Sequence, residues 1–187
     1  MATTEPRALV AADARALTRL SDEAGWNQTA DDWRLIVAHG AGEGIFAADG
    51  TPLASACAVP LTRRSRWICM VLVTRDARRQ GHATRLMARQ IAAVTAAGKV
   101  PGLDATELGR PVYERLGFRP LFRLTRLRAA APLWPDVACG AALRLMTATD
   151  MDAVAAYDAA AAGGDRAFLL AHLRTRLPRA AWVATRG

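Results

Sequence analysis

The sequence predicts an α/β fold, and three observations carry the prediction. The first is a hairpin signal, Asp49-Gly50, set between two stretches rich in small and β-branched residues. The second is Trp67-Ile-Cys-Met-Val-Leu-Val73, seven apolar residues without alternation. A strand of that kind is covered on both faces and lies inside its sheet. The third is the polar turn and helical apolar pattern directly after that strand, the order of a strand–turn–helix crossover. The composition agrees. In 187 residues, 52% are hydrophobic and 22% charged, which excludes a disordered or low-complexity chain.

The elements can be justified in chain order. Asp13 to Ala24 places Ala16, Leu17, Leu20 and Ala24 at helical spacing. Trp33, Ile36 and Val37 repeat the pattern after Thr29, a helix start with Asp31 and Asp32 behind it at the positive helix end. Two antiparallel strands, about 44–48 and 53–59, flank Asp49-Gly50, because Asp and Gly tolerate the positive φ of a tight turn. The apolar strand over 67–73 comes next, then a helix over 81–97 closed by Gly98. Ala83, Met87, Ile91 and Val94 form its inward stripe, with Arg85 and Arg89 outward. A short strand over 100–104, a short helix over 111–116 ended by Gly117, and one or two strands over 118–127 complete the series.

No uncharged apolar run approaches the roughly 20 residues of a membrane helix, so no membrane partner is expected. The opening MATTEPRALV lacks the basic and apolar segments of a signal peptide. Cys57, Cys69 and Cys139 are odd in number and far apart, which reads as reduced, buried thiols in a cytoplasmic protein and leaves no metal site.

Of the 25 basic residues only Lys99 is lysine. Eight arginines against one acid, Asp76, fall between Arg63 and Arg89. Such a cluster suits a polyanion, either a nucleotide cofactor or a nucleic-acid backbone. Only Trp67 is interleaved with it as an aromatic, which argues against nucleic acid.

The segment that carries chemistry is Val73-Thr-Arg-Asp-Ala-Arg-Arg-Gln-Gly-His-Ala-Thr84. Unsatisfied amides at a helix start, the positive helix end, and a glycine allowing close backbone approach together bind pyrophosphate. One glycine is too few for the dinucleotide fingerprint, and no GK[ST] makes it a P-loop. The bland alternative is a basic surface turn capping an ordinary helix.

Arg78-Arg-Gln-Gly81-His-Ala83 resembles the R/Q-x-x-G-x-G/A acetyl-CoA signature of the GCN5-related N-acetyltransferase (GNAT) superfamily. Pro111-Val-Tyr113-Glu-Arg-Leu-Gly117-Phe118 resembles its second recurring segment, and the two stand in the family's order and spacing across residues 5–128. The resemblance implies a mixed, mostly antiparallel central sheet flanked by helices. It implies acetyl-CoA as cosubstrate, with Leu72 and Val73 offering backbone groups to the pantetheine arm. Arg78, Arg79, Gln80, Gly81, His82, Ala83 and Thr84 would form the pyrophosphate turn, and Tyr113 would stand near the thioester sulfur. Arg75 replaces the family's frequent proline, and Thr106 its frequent asparagine.

A thioester is already activated, so transfer to an amine needs placement, an N–H donor for the oxyanion, and an acid for the leaving thiolate. Backbone amides around 70–72 would supply the donor, and Tyr113, protonated at neutral pH, the acid. Tyr113 as a packing residue is the alternative. The general base is not evident: Asp104, Glu43, His39 and Asp31 are candidates, and Cys69 is read as packing, not as a nucleophile. Trp26, Asn27 and Asp104 are the residues assigned to the acceptor, a primary amine of a small molecule or peptide; Trp26 and Trp33 are either acceptor walls or core. The expected function is N-acetyl transfer in a ternary complex. The alternative is a non-catalytic acyl-CoA-binding or nucleic-acid-binding module.

The domain is expected over 1–130 and a linker over 131–141. Residues 7–13 and 45–50 can be laid on 144–150 and 182–187 at one offset, 137. Residues 142–187 then read as a partial second unit, strand–helix–helix–strand, in the manner of GNAT proteins with a second divergent domain. Its last strand lacks a hairpin partner, so the tail is expected to pack on the first domain's sheet, to pair with another copy in a homodimer, or to begin a longer chain.

Overall fold

The computed structural model describes residues 5–125, 127, 129–131 and 142–185. Cys139, nearly all of the expected linker, and the last two residues of the expected repeat lie outside the described residues. β1 (Arg7–Ala8), β2 (Ala41–Phe46), β3 (Pro52–Pro60), β4 (Ser65–Val73) and β5 (Val100–Gly102) form one sheet in the order β1-β2-β3-β4-β5. All pairs are antiparallel except β4–β5, which is parallel. The expected mixed, mostly antiparallel sheet is present, with helices on both faces.

One face carries α1 (Ala14–Glu23) and α2 (Ala30–His39) over a core of Leu17, Leu20, Trp33, Cys57, Met70 and Leu72. The other carries α3 (His82–Ala96), whose Leu86, Met87 and Val94 pack on Ala54, Ala56, Ala58 and Ile68. The alternation along β3 is strict, with 54, 56 and 58 toward α3 and 55 and 57 toward α1 and α2. Three alanines present a low surface against which the helix can seat. Trp33 is fully buried, its indole N–H donating to Ser21 Oγ at 3.2 Å, so it is core and not a wall of an open site.

Local chemistry explains the joints. Thr29 caps α2: Asp32 N donates to Thr29 Oγ1 and Thr29 N to Asp32 Oδ2 at 2.7 Å, a reciprocal box that satisfies two amides. Asp49 accepts from Thr51 N at 2.9 Å, and Gly50 takes φ +83°, closing the β2–β3 hairpin. The strands expected over 118–127 are not present among the described residues. α4 (Arg110–Arg115) is followed by a chain without ladder partners, on which Leu121 and Phe122 are 85% and 70% exposed. Pro120 removes one amide donor from that stretch.

β6 (Ala142–Leu145), α5 (Met151–Ala162), α6 (Ala167–Arg176) and β7 (Trp182–Thr185) come next, with β6 and β7 pairing antiparallel. α5 and α6 begin 137 residues after α1 and α2. The bidentate Arg7–Asp13 pair, at 2.7 and 2.8 Å, recurs as Arg144–Asp150 at 2.6 and 2.7 Å. In both places the aspartate also accepts a backbone amide, from Val10 and Thr147.

This C-terminal segment rests on α2 and on the β3–β4 turn. Arg176 and His172 of α6 reach Asp32, His172 at 3.7 Å, and Phe168 stacks on His39 with centroids 4.4 Å apart. Arg63 N donates to Gly163 O at 2.9 Å, and a Cβ on Gly164 would lie 2.5 Å from Thr62 Cα. No helix among the described residues is long and apolar enough to cross a membrane.

Gly164→Ala should therefore push the C-terminal segment off the β3–β4 turn. Hydrogen exchange at the Arg63 amide is expected to accelerate about tenfold or more, with exchange at Leu72 unchanged. Equal protection of Arg63 in both proteins would show that the contact is not maintained in solution.

Candidate functional site

The turn between β4 and α3 is built by backbone geometry. Thr74 N donates to Leu53 O at 2.9 Å, and a 3-10 turn over Arg75–Ala77 comes after it. Arg79 and Gly81 then take positive φ, +62° and +79°, and Gly81 becomes the N-cap of α3. Buried Ala77 and His82 pin the turn to the core, while Arg78, Arg79, Gln80 and Thr84 stay exposed and Ala83 is half-buried. Arg78 Nε donates to Val73 O and Gln80 Nε2 to Asp76 O, each at 3.2 Å. Glu23, at the end of α1, accepts Arg75 N at 2.5 Å and holds the turn from the other side.

The first amides of α3 have no intrahelical acceptor, and no N-cap side chain takes its place. A Cβ built on Gly81 meets nothing within 4 Å. The helix start thus faces open space with its positive end and two arginines, the surroundings a pyrophosphate requires. Not all of the surrounding charge is available. Arg89 makes a bidentate pair with Glu43, and Arg85 pairs with Glu5 at 2.5 Å. These acids are distant in sequence, so the local count of eight arginines against one acid overstates the field.

Beside the turn, β4 is irregular. Ser55 pairs with Leu72 and Cys57 with Cys69, so Ala56 alone stands opposite Met70 and Val71. This is a β-bulge, and Met70 carries it at φ +53°. The extra residue sends both Cys69 and Met70 to the α1–α2 face, whereas Val71 and Val73 face α3 and Leu72 is buried beneath α1. On the opposite edge β5 pairs with β4 only through Ser65–Trp67, so from Ile68 onward no described strand lies beside that edge of β4.

Tyr113 on α4 is half-buried among Ile68, Met87 and Val94, its ring edge-on to Phe118 at 6.2 Å. Burial pushes its phenol up, so it is protonated at neutral pH. It also lines a cleft of about 980 Å³ with Trp67, Asp104, Phe118 and Phe122. Trp67 Nε1 donates to Asp104 Oδ2 at 3.2 Å. That cleft includes no residue of 70–84, and neither Trp26 nor Asn27 lines it. Those two lie exposed on the α1–α2 connection.

The remaining candidates are engaged elsewhere. Glu43 is held by Arg89, Asp31 by Arg34, and His39 by Phe168. Thr106 Oγ1 accepts Gly109 N at 3.2 Å, at the entry to α4. Burial pushes the Cys69 thiol up to about 12, and Cys57 also upward, so neither is a nucleophile at neutral pH. The bulge and Ser55 escape sequence reading, because an apolar run without alternation looks the same with or without an extra residue.

A family model described as an acetyltransferase (GNAT) domain matches residues 23–129. An acetyltransferase from Trypanosoma brucei is 24% identical, covering 67% of this chain and 99% of its own, with a TM-score of 0.54. A GCN5-related N-acetyltransferase from Ralstonia eutropha is 23% identical, covering 66% and 97%, at 0.54. A ribosomal-protein-alanine N-acetyltransferase from Brucella melitensis is 16% identical, covering 67% and 98%, at 0.53. These likenesses show the fold. No curated protein matched the sequence.

Gly81→Glu would place a carboxylate in the open space above the α3 start. Calorimetry should find coenzyme A binding abolished, whereas Gly81→Ala, which shares the backbone strain without the charge, should keep most of it. Equal affinity in the wild-type and Gly81→Glu proteins would move the anion site elsewhere.

Proposed function

The chain belongs to the GNAT acetyltransferase family, and from that premise we propose that it transfers the acetyl group of acetyl-CoA to a primary amine of a small molecule or peptide, by direct attack in a ternary complex. The observation that carries this reading is the uncapped start of α3 at Gly81, open to solvent and lying directly after the bulged strand β4.

In this reading Arg78, Arg79 and the amides of Gly81, His82, Ala83 and Thr84 hold the pyrophosphate, with Gln80 shaping the turn. The Leu72 and Val73 backbone, beyond the last β5 pairing, receives the pantetheine arm, with Arg78 at present on the Val73 carbonyl. An amide of the bulge donates to the thioester oxygen as charge develops there, and Tyr113 protonates the leaving sulfur. Asp104 stands in the cleft that Tyr113 lines and is the acid best placed to meet an acceptor there, with Trp26 and Asn27 on a separate approach. Free thiols on facing strands suit a cytoplasmic setting. The acids that answer Arg85 and Arg89 weaken the case for nucleic acid.

Residues 142–185 read best as a partial second copy of the domain's opening. The recurrence of the helix starts and of the Arg–Asp pair supports this. The turn assigned to the cofactor lies at residues 78–84, so the chemistry is assigned to the first domain.

Thiol release from acetyl-CoA, measured over a panel of primary amines, tests the proposal. Release should depend on one amine class; binding without release for any amine would favour a non-catalytic acyl-CoA module. With an accepted amine, Tyr113→Phe should lower kcat by roughly 10²–10⁴ with coenzyme A affinity nearly intact. The raised phenol pKa adds a sign: a general acid that ionises only above about 10 gives kcat no descending limb below that pH. Equal loss of thermal stability and activity in Tyr113→Phe would assign the ring to packing.

A further inference from the structure

The bulge places a non-glycine residue, Met70, in the left-handed region at φ +53° inside a fully covered sheet. Such a conformation persists only where its surroundings over-determine it. One contact does so in a way the strand ladder cannot. Ser55 Oγ donates to Met70 O at 2.7 Å, and Ser55 is fully buried. Ser55 sits on β3 opposite Leu72, immediately before the unmatched Ala56. Its hydroxyl therefore reaches the bulge carbonyl from the paired strand, on the one side of β4 that carries the ladder. Its neighbours on β3 are alanine or cysteine at 54, 56, 57 and 58, none of which offers a comparable donor.

We infer that Ser55 is a positioning residue for acetyl transfer, fixing the Met70 bulge so that an unpaired amide of Met70 or Val71 faces the open β5 side of β4. The inference rests on the proposed acetyltransferase reading and adds to it the element that aims the oxyanion donor. The reasoning is geometric. A bulge leaves one residue out of the ladder, so its peptide planes are free to tilt. A hydrogen bond to the Met70 carbonyl fixes the plane shared with the Val71 amide, because carbonyl and following N–H belong to one rigid unit. Fixing the carbonyl toward β3 aims that amide away from β3, toward the edge that β5 leaves after Trp67. Without the hydroxyl, the buried carbonyl loses its partner and the plane is free to rotate.

The test uses the full chain with Ser55→Ala and the near-isosteric Ser55→Cys, whose thiol is only a weak donor. With acetyl-CoA and an accepted amine, Ser55→Ala should lower kcat about 10–100-fold while coenzyme A affinity, set at the Gly81 turn, stays within about twofold. Ser55→Cys should fall between. In amide NMR of the ligand-free protein, Met70 and Val71 should shift and exchange faster in Ser55→Ala, with Leu20 unchanged. A folded Ser55→Ala protein with wild-type kcat overturns the inference, as does parallel loss of kcat and coenzyme A affinity. If Ser55→Ala does not fold, Ser55→Cys decides by the same two criteria. Wild-type protein that releases no thiol with any amine defeats the acetyltransferase reading instead. In that case the Met70 and Val71 resonances still test the lock: no change in them overturns it.

Discussion

The sheet depends on β4 having two unlike edges. Toward β3 it is paired along its length apart from one bulge, and toward β5 it is paired for only three residues. A central strand that loses one neighbour halfway keeps its hydrophobic cover on both faces yet leaves backbone groups unclaimed at its edge. Those groups must find a partner in water or in a ligand, since unpaired backbone polar groups are costly when enclosed. The turn after the strand adds a second set of unclaimed amides at the start of α3. Both sets lie on the continuous stretch 70–84, so in the proposed reading one strand–turn–helix segment supplies the backbone groups that meet the cofactor. The remainder of the domain holds this segment still.

How it is held is visible in contacts that bridge long stretches of sequence. Glu23 at the end of α1 grips the Arg75 amide, and Glu43 on β2 grips Arg89 on α3. Buried His82 and Ala77 anchor the turn from beneath. Exposed pairs of this kind contribute little stability individually. Their effect is to hold Arg85 and Arg89 on carboxylates elsewhere in the chain, away from the proposed anion site at the helix start.

Much of this was legible in the residues. The Asp49-Gly50 turn, the covered strand over 67–73, the Thr29 cap and the Gly81 turn all rest on local chemistry, and each stands where that chemistry places it. The illegible part is non-local. Whether Trp33 walls a site or fills the core depends on Ser21 and on the strands beneath it. The bulge at Met70 requires knowing the register against β3, and Ser55 reads as one more small residue in ASACAV. The stretch after Gly117 is rich in apolar residues but carries Pro120 and no regular alternation, and among the described residues it pairs with no strand. Of the carboxylates named as bases, Glu43 is committed to Arg89 far along the chain, Asp31 to Arg34 one turn away, and Asp104 accepts the Trp67 indole.

The Arg7–Asp13 pair and its counterpart Arg144–Asp150 span only six residues each, and each aspartate also ties down the start of its own helix turn. Contacts so short in sequence cost little loop-closure entropy and can form before any sheet exists. The parallel β4–β5 joint is the opposite case, since it closes only after the whole of α3 has been laid across the sheet. The order of assembly therefore runs from both strand–helix clasps and the β2–β3–β4 hairpins toward that joint. The seam beside the proposed thioester channel is the last part of the domain to close and, by the same reasoning, the first to open.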